Sequence, residues 1–391
     1  FALILLFKFI PKKDLLILLI VLTSSVTIYS LYNGFELNFA KAILINQHLL
    51  TLLIGVGFLR LIATPKKRKI KSLPIGEKSF LKTYLGVHLF GSVINLSSLI
   101  LVADKLYKKA PLSNLQVVLL TRAFSSDAYW SPFFVAFAAA MTYAPNLSTS
   151  VIMINGLFLA AVAFIFTYFE VTRNKEFNLT QFRGYPIHFD TLYIPVLLAI
   201  FVLTITTYFP QLKVIILISF FAVTMTITIL PIKIGLKKAF KRFSKHITKE
   251  LPLMKNELTL FLIAGAFGVA ISSLLVGFHI DMPIKIFDAT SASVLLLILI
   301  CLSFVGIHPI ISIAIIGNWM DGVNHTLLAI TFLMSWSTAV STSPFSGLNL
   351  TMHARYNLSL TRIFKINIFY AVKMYFICVI MLFVVSNYLG L

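Results

Sequence analysis

Along most of the chain, apolar residues run on without the polar punctuation that would give a helix or strand one wet face. Unbroken apolar stretches cover 15–31, 40–62, 80–103, 150–170, 191–208, 212–231, 258–278, 291–306 and 366–387, and residues 1–10 read as the end of a further helix. These lengths approach or reach the ~20 residues that carry a helix across a bilayer. Short alternating strands are absent, so helices are the spanning form expected here. The pattern predicts an all-α polytopic membrane protein.

Two stretches depart from this pattern. Residues 112–145 hold a short apolar run, a polar tip from Thr121 to Ser131, and a second apolar arm from Pro132 to Met141. The chain from Ser335 to Asn349 has the same build around Pro344. Short arms around a polar, proline-containing tip suggest a re-entrant hairpin, because unpaired backbone at membrane depth must face protein or water. The tips align without a gap: Phe124 to Phe133 falls on Trp336 to Phe345, ending both times in Ser-Pro-Phe. Upstream, Phe90 and Gly91 followed by Ser97 and Ser98 resemble Phe267 and Gly268 followed by Ser272 and Ser273. The division expected is 1–65 as N-terminal scaffold helices, 66–236 as a first repeat with its tip near 121–133, and 237–391 as a second with its tip near 335–349.

Composition supports the membrane reading: 59% of residues are hydrophobic, 12% are charged, and mean hydropathy is +0.95, well beyond a soluble domain. The net charge of +20 would suit a nucleic-acid partner, but the cations cluster in loops, chiefly Lys66 to Lys71 and Lys237 to Lys249. Membrane topology accounts for that distribution, and no nucleic acid is expected. If 112–145 turns back, four crossings separate the two clusters, which share one side, and the repeats are parallel. If it crosses, the repeats are inverted and one cluster lies outside. Cys301 and Cys378 lie in apolar runs and suggest neither a disulfide framework nor a metal site.

A polar group at mid-membrane costs a few kcal/mol and is a functional candidate by default. The expected substrate-binding set is Ser125, Ser126, Ser131, Ser337, Thr338, Ser341, Thr342, Ser343, Asn349 and Arg122; each hydroxyl has the alternative of satisfying its own helix. Asp127 would bind Na⁺ or carry a proton, or else pair with Arg122. Asn318 and Asp321 would assist it or form an interfacial loop, and His308 would titrate or cap a broken helix. No nucleotide loop, His-Glu-x-x-His motif or soluble domain is present, so neither enzyme chemistry nor a resident cofactor is expected and energy would come from a Na⁺ or H⁺ gradient.

The duplicated unit, the run from Gly306 through His308 and Pro309, and Ser341 to Phe345 resemble the ion transporter superfamily. That group includes divalent anion:sodium symporters and the arsenite permease and sodium:proton antiporter branch. The resemblance implies two inverted repeats, each with a re-entrant hairpin, a homodimer, and an elevator motion. Where the symporter branch carries Ser-Asn-Thr, this chain reads Ser125, Ser126, Asp127 and Ser337, Thr338, Ala339, so the role implied is that these residues line the site. The reading is a secondary transporter of the inner or plasma membrane that moves a small anionic solute. Its rivals are a lipid-linked substrate flippase, with membrane lipids as partners of the basic residues, and an integral subunit of a cell-envelope assembly.

Overall fold

The structure, a computed structural model, describes residues 14–64, 72–185, 192–209, 211–280, 286–320 and 322–391. The opening helix end, the cluster from Lys66 to Lys71 and Asp321 lie outside them. The described residues are mostly helical and contain no strand beyond a single bridge between Ile75 and Arg183. In chain order the helices are α1 (Asp14–Tyr32), α2 (Phe39–Leu44), α3 (Gln47–Ala63), α4 (Glu77–Ile94), α5 (Leu96–Tyr107), α6 (Asn114–Ser125), α7 (Val135–Tyr143), α8 (Thr149–Arg173) and α9 (Tyr193–Tyr208). Then follow α10 (Val214–Ile234), α11 (Leu236–Lys245), α12 (Lys255–Gly277), α13 (Ala289–Val305), α14 (Pro309–Trp319), α15 (His325–Thr342), α16 (Gly347–Tyr356) and α17 (Leu360–Tyr388).

Hydrogen bonds at the helix ends sort these elements between two faces. At one face, α6 begins with a Ser113/Gln116 capping box, Gln116 donates to the Arg183 carbonyl (2.9 Å), and Arg362 donates to Asn114 (2.7 Å). Arg355 joins Asp104 at 2.8 Å on the same face. At the other, the backbone N–H groups of Asn146 and Ser148 bond His325 Nδ1 (3.1 Å) and Thr326 Oγ1 (2.9 Å). Between these ends Ser337 Oγ donates to the Ser125 carbonyl (2.8 Å), so α15 runs antiparallel to the whole of α6–α7.

That geometry moves the hairpins. The segments around 121–133 and 335–349, expected as re-entrant tips, are breaks in two crossing helices: α6–α7 runs from the first face to the second, and α15–α16 runs back. Pro132 and Pro344 interrupt the helical hydrogen bonding, and each chain resumes in the same direction. The chain turns back instead at Asn95 (φ 50°) and Gly306 (φ 112°), where a left-handed backbone reverses it. Ser98 Oγ on α5 reaches the Val87 carbonyl on α4 (3.3 Å), so α4–α5 is a hairpin with both ends on the first face. The second hairpin is α13–α14. Phe304 and the Ser293 carbonyl on α13 meet Phe364 and Tyr375 on α17 in antiparallel order, and Gly317 on α14 abuts Tyr143 near the second face. The hairpins open on opposite faces, so the repeats are inverted.

The register of the duplication shifts accordingly. Hairpin α4–α5 corresponds to α13–α14, α6–α7 to α15–α16, and α8 to α17. The Phe-Gly and Ser-Ser pattern that paired 80–103 with 258–278 marks only close helix packing: Gly91 faces Asp127, and Gly268 faces Ala314. The counterpart of α12 is α3, since α3 packs on α10 as α12 packs on α1. The N-terminal helices therefore pack as the counterpart of α10–α12. Among the described residues, Lys105, Lys108, Lys109, Lys175, Arg183, Lys237 to Lys249, Arg355 and Arg362 share the first face, called the basic face below. Inverted repeats and one-sided charge are compatible because hairpin α4–α5 does not cross while α6–α7 does.

Candidate functional site

Each hairpin tip is clasped to the break of the crossing helix that follows it, by a serine at the equivalent position in each. Ser131 Oγ donates to the Ser92 carbonyl near the first tip and accepts from Phe133 N–H (3.2 Å). Ser343 Oγ donates to the Ser303 carbonyl near the second tip (2.7 Å) and accepts from Phe345 N–H (3.2 Å). The residue before a proline is held extended, which frees each hydroxyl to bond its own i+2 N–H and the neighbouring hairpin together. Asn95 adds a bond from its amide to the Phe133 carbonyl (3.3 Å).

The two breaks are tied in turn to α17. Asn367 donates to Thr121 Oγ1 (3.1 Å) and to the Ser341 carbonyl (3.0 Å), and its oxygen accepts from Arg122 Nε (3.0 Å). Arg122 is fully buried and donates to Glu170 Oε1 (2.8 Å) and to the Ile366 carbonyl (3.2 Å), with its guanidinium 4.3 Å from the Tyr370 ring centroid. Its alternative as the ion-pair partner of Asp127 is not what the structure shows; Glu170 has that place. Of the Arg122 nitrogens, Nη1 alone lacks a partner among the described residues.

Asp127 lies at the first break, wholly buried, on the 3-10 turn Ser126–Tyr129. Its Oδ1 is 2.8 Å from His88 Nδ1, a close contact off the line of the ring N–H. That nitrogen also faces the Ser126 hydroxyl (3.0 Å) and the Ala123 carbonyl (3.1 Å). Trp130 Nε1, a donor only, bonds His88 Nε2 (3.3 Å), which fixes the neutral ring with its proton on Nδ1. Neither oxygen of Asp127 has an aligned donor among the described residues. A carboxylate buried with no polar support beyond the His88 contact costs several kcal/mol, a cost that a proton or a small cation would lower. Gly91 lets the hairpin come this close, since a Cβ there would collide with Asp127 Oδ2.

The second break carries the opposite chemistry. A small cavity is lined by Ser303, His308, Trp336, Ser343, Phe345 and Ser346. His308 caps α14, its Nδ1 accepting from Ile310 N–H (3.2 Å), so the neutral ring carries its proton on Nε2. The Trp336 indole stands edge-on to that ring, centroids 5.7 Å apart. Neither Nε2 of His308 nor Nε1 of Trp336 has a hydrogen bond to the described residues. The N-termini of α14 and α16 begin at the same cavity, with Ser346 capping α16 through Asn349 N–H (3.1 Å). Donors converge here and no acid is among the lining residues, which favours a ligand rich in acceptor oxygens.

The remaining expected residues divide. Ser125, Thr338 and Ser341 bond carbonyls of their own helices, the satisfied-backbone alternative, and Thr342 Oγ1 meets Ser341 Oγ at 3.0 Å. Ser337 bridges the two breaks through the Ser125 carbonyl (2.8 Å). Asn349 is buried against the second break, donating to the Ser343 carbonyl (2.9 Å), with its oxygen unpartnered among the described residues. Asn318 is remote from both breaks, its amide turned to the Ala314 carbonyl (2.7 Å). Residues without an advance signal are His88, Trp130, Glu170, Asn367 and Tyr370. His88, Glu170, Asn367 and Tyr370 sit in apolar runs, so hydropathy hides them, although any ionisable group there is a candidate on cost alone; Trp130 lies within the first polar tip, where its aromatic ring gave no polar signal.

No known family profile matches the chain, and no curated protein matches it in sequence. Among solved structures it is similar to the YdaH transporter of Alcanivorax borkumensis, with a TM-score of 0.50 and 10% identity over 97% of this chain and 90% of that one. The chain has a membrane-transporter fold. At that identity the likeness extends to the fold alone, and the chemistry of the two breaks is read from this chain's own residues.

Proposed function

We propose that this protein is a secondary active transporter of a small anionic solute, driven by a proton or sodium gradient. The observation that carries the reading is the repeated clasp: Ser131 on Ser92 and Ser343 on Ser303 hold two inverted hairpins to two helix breaks by the same bonds. Two equivalent closures of opposite orientation are what alternating access requires, one to be released toward each face. The halves then divide the work. Asp127, beside His88, takes the coupling cation or proton, and the donor-lined cavity at His308 and Trp336 takes the solute's acceptor oxygens. Membership of the ion transporter superfamily, an elevator motion in a homodimer and residence in the inner membrane fit this reading, with the basic face cytoplasmic by the positive-inside rule.

The test is flux into proteoliposomes across a panel of mono- and dicarboxylates and inorganic oxyanions, under imposed proton or sodium gradients. Wild-type protein is expected to accumulate at least one anion, and Asp127→Asn to lose accumulation while retaining exchange of that anion at equilibrium. Absence of flux for every solute, from folded protein, would remove the proposal. Lipid scrambling under the same conditions would favour the flippase rival.

A further inference from the structure

We propose that the exposed surface of α11 is a docking site for anionic phospholipid headgroups of the leaflet on the basic face. The helix is placed for it, following α10 directly where Lys233 reaches the Ile62 carbonyl (3.4 Å) at the end of α3. Its roll is set by buried Ala239 and by Phe243, whose ring lies 6.5 Å from that of Phe58. With that face fixed, Lys237, Lys238, Lys241 and Lys245 are exposed. Leu236 (79% exposed) and Phe240 (76%) stand one helical turn apart among them. Ammonium groups beside projecting apolar side chains suit a headgroup phosphate with its acyl chains below, and suit a soluble anion poorly.

Two further observations favour this occupant. The acid of the segment, Glu250, is consumed internally by Arg242 (2.5 Å), His246 (3.0 Å) and Arg60 (3.4 Å), so it does not offset the lysines. The inverted counterpart on the opposite face, residues 33–46, carries Lys41 and Glu36 as its only Lys, Arg, Asp or Glu side chains. The fold therefore does not need the charge. Arg60 also donates to Ser97 Oγ (3.0 Å) beside the turn of hairpin α4–α5, so the lipid-facing segment is linked through Glu250 to a moving part of the proposed carrier.

The experiment needs no transported solute, so its failure and that of the transporter reading are separable. Delipidated full-length protein is incubated with an equimolar mixture of phosphatidylglycerol and phosphatidylcholine of the same chain length, and retained lipid is measured by mass spectrometry. Wild type is expected to enrich phosphatidylglycerol several-fold. The quadruple variant Lys237→Gln, Lys238→Gln, Lys241→Gln, Lys245→Gln should lose that enrichment. The matching four Lys→Arg changes should keep it, which separates charge loss from misfolding. Lys105→Gln, Lys108→Gln, Lys109→Gln, on the same face, should also keep it. No enrichment by wild type, enrichment surviving in the quadruple variant, or equal loss in the Lys105 set would each overturn the proposal.

Discussion

The two serine clasps predict an order of damage. Ser131→Ala removes the donor to the Ser92 carbonyl and the acceptor of Phe133 N–H, and both ends are buried, with Ser92 3% and Phe133 6% exposed. A buried polar group left without a partner costs about 1–3 kcal/mol, so two such groups set the expectation at roughly 2–6 kcal/mol. Ser343→Ala is milder. The Ser303 carbonyl still accepts from Gly306 N–H at 3.2 Å, and Phe345 is 50% exposed, so about 1–2 kcal/mol is expected. The assay is thermal unfolding in detergent with a thiol-reactive dye. Buried Cys378 is a native reporter once exposed Cys301 is changed to Ser. Both variants should unfold at lower temperature, Ser131→Ala by the larger margin. A Ser131→Ala protein as stable as its parent, or less affected than Ser343→Ala, refutes the assignment of the clasps.

Glu170→Gln should destabilise by up to about 3 kcal/mol, less than for a sealed ion pair because Glu170 is 23% exposed, by stranding the Arg122 cation. Adding Arg122→Met should recover part of the loss, and a double-mutant cycle in the same unfolding assay checks the sign of the coupling. Gly91→Ala should cost about 1–3 kcal/mol by overpacking against Asp127; combining it with Asp127→Ala should relieve the clash, and a purely additive result would contradict the contact. Arg60→Gln, which removes the bond to Ser97, should speed labelling of the first hairpin turn, read with a cysteine at Leu96 against one at Leu101.

The class of the protein was legible in the chain because apolar runs of spanning length leave no other solution. The polar breaks were legible too, since Ser-Pro-Phe recurs at the same spacing. Their geometry was not. A proline shows that helical hydrogen bonding stops without showing whether the chain continues or reverses, and at Ser131 and Ser343 it continues. The true reversals, at Asn95 and Gly306, need only a positive φ at one residue and leave no mark in hydropathy. Asp127 stood out because any acid inside a span is costly. His88 and Trp130 come to it from α4 and from the far side of the 3-10 turn, a conjunction that only the folded hairpin creates. Arg122 and Asp127 are near in sequence, yet Arg122 points to Glu170 and Asn367 on α8 and α17, since an α-helix and the 3-10 turn after it present successive side chains in different directions.

The central claim is that two inverted hairpins face two helix breaks, and side-specific labelling tests it most directly. Exposed Lys108, at the open end of the first hairpin, and exposed Thr290, at the open end of the second, are changed singly to cysteine in a Cys301→Ser background. Each variant is treated with a membrane-impermeant maleimide in right-side-out and in inverted vesicles. The account predicts that the two cysteines label from opposite faces, with Lys108→Cys on the same face as a cysteine placed at Lys241. Labelling of both from one face would contradict the inverted repeats and, with them, the proposed alternating-access function.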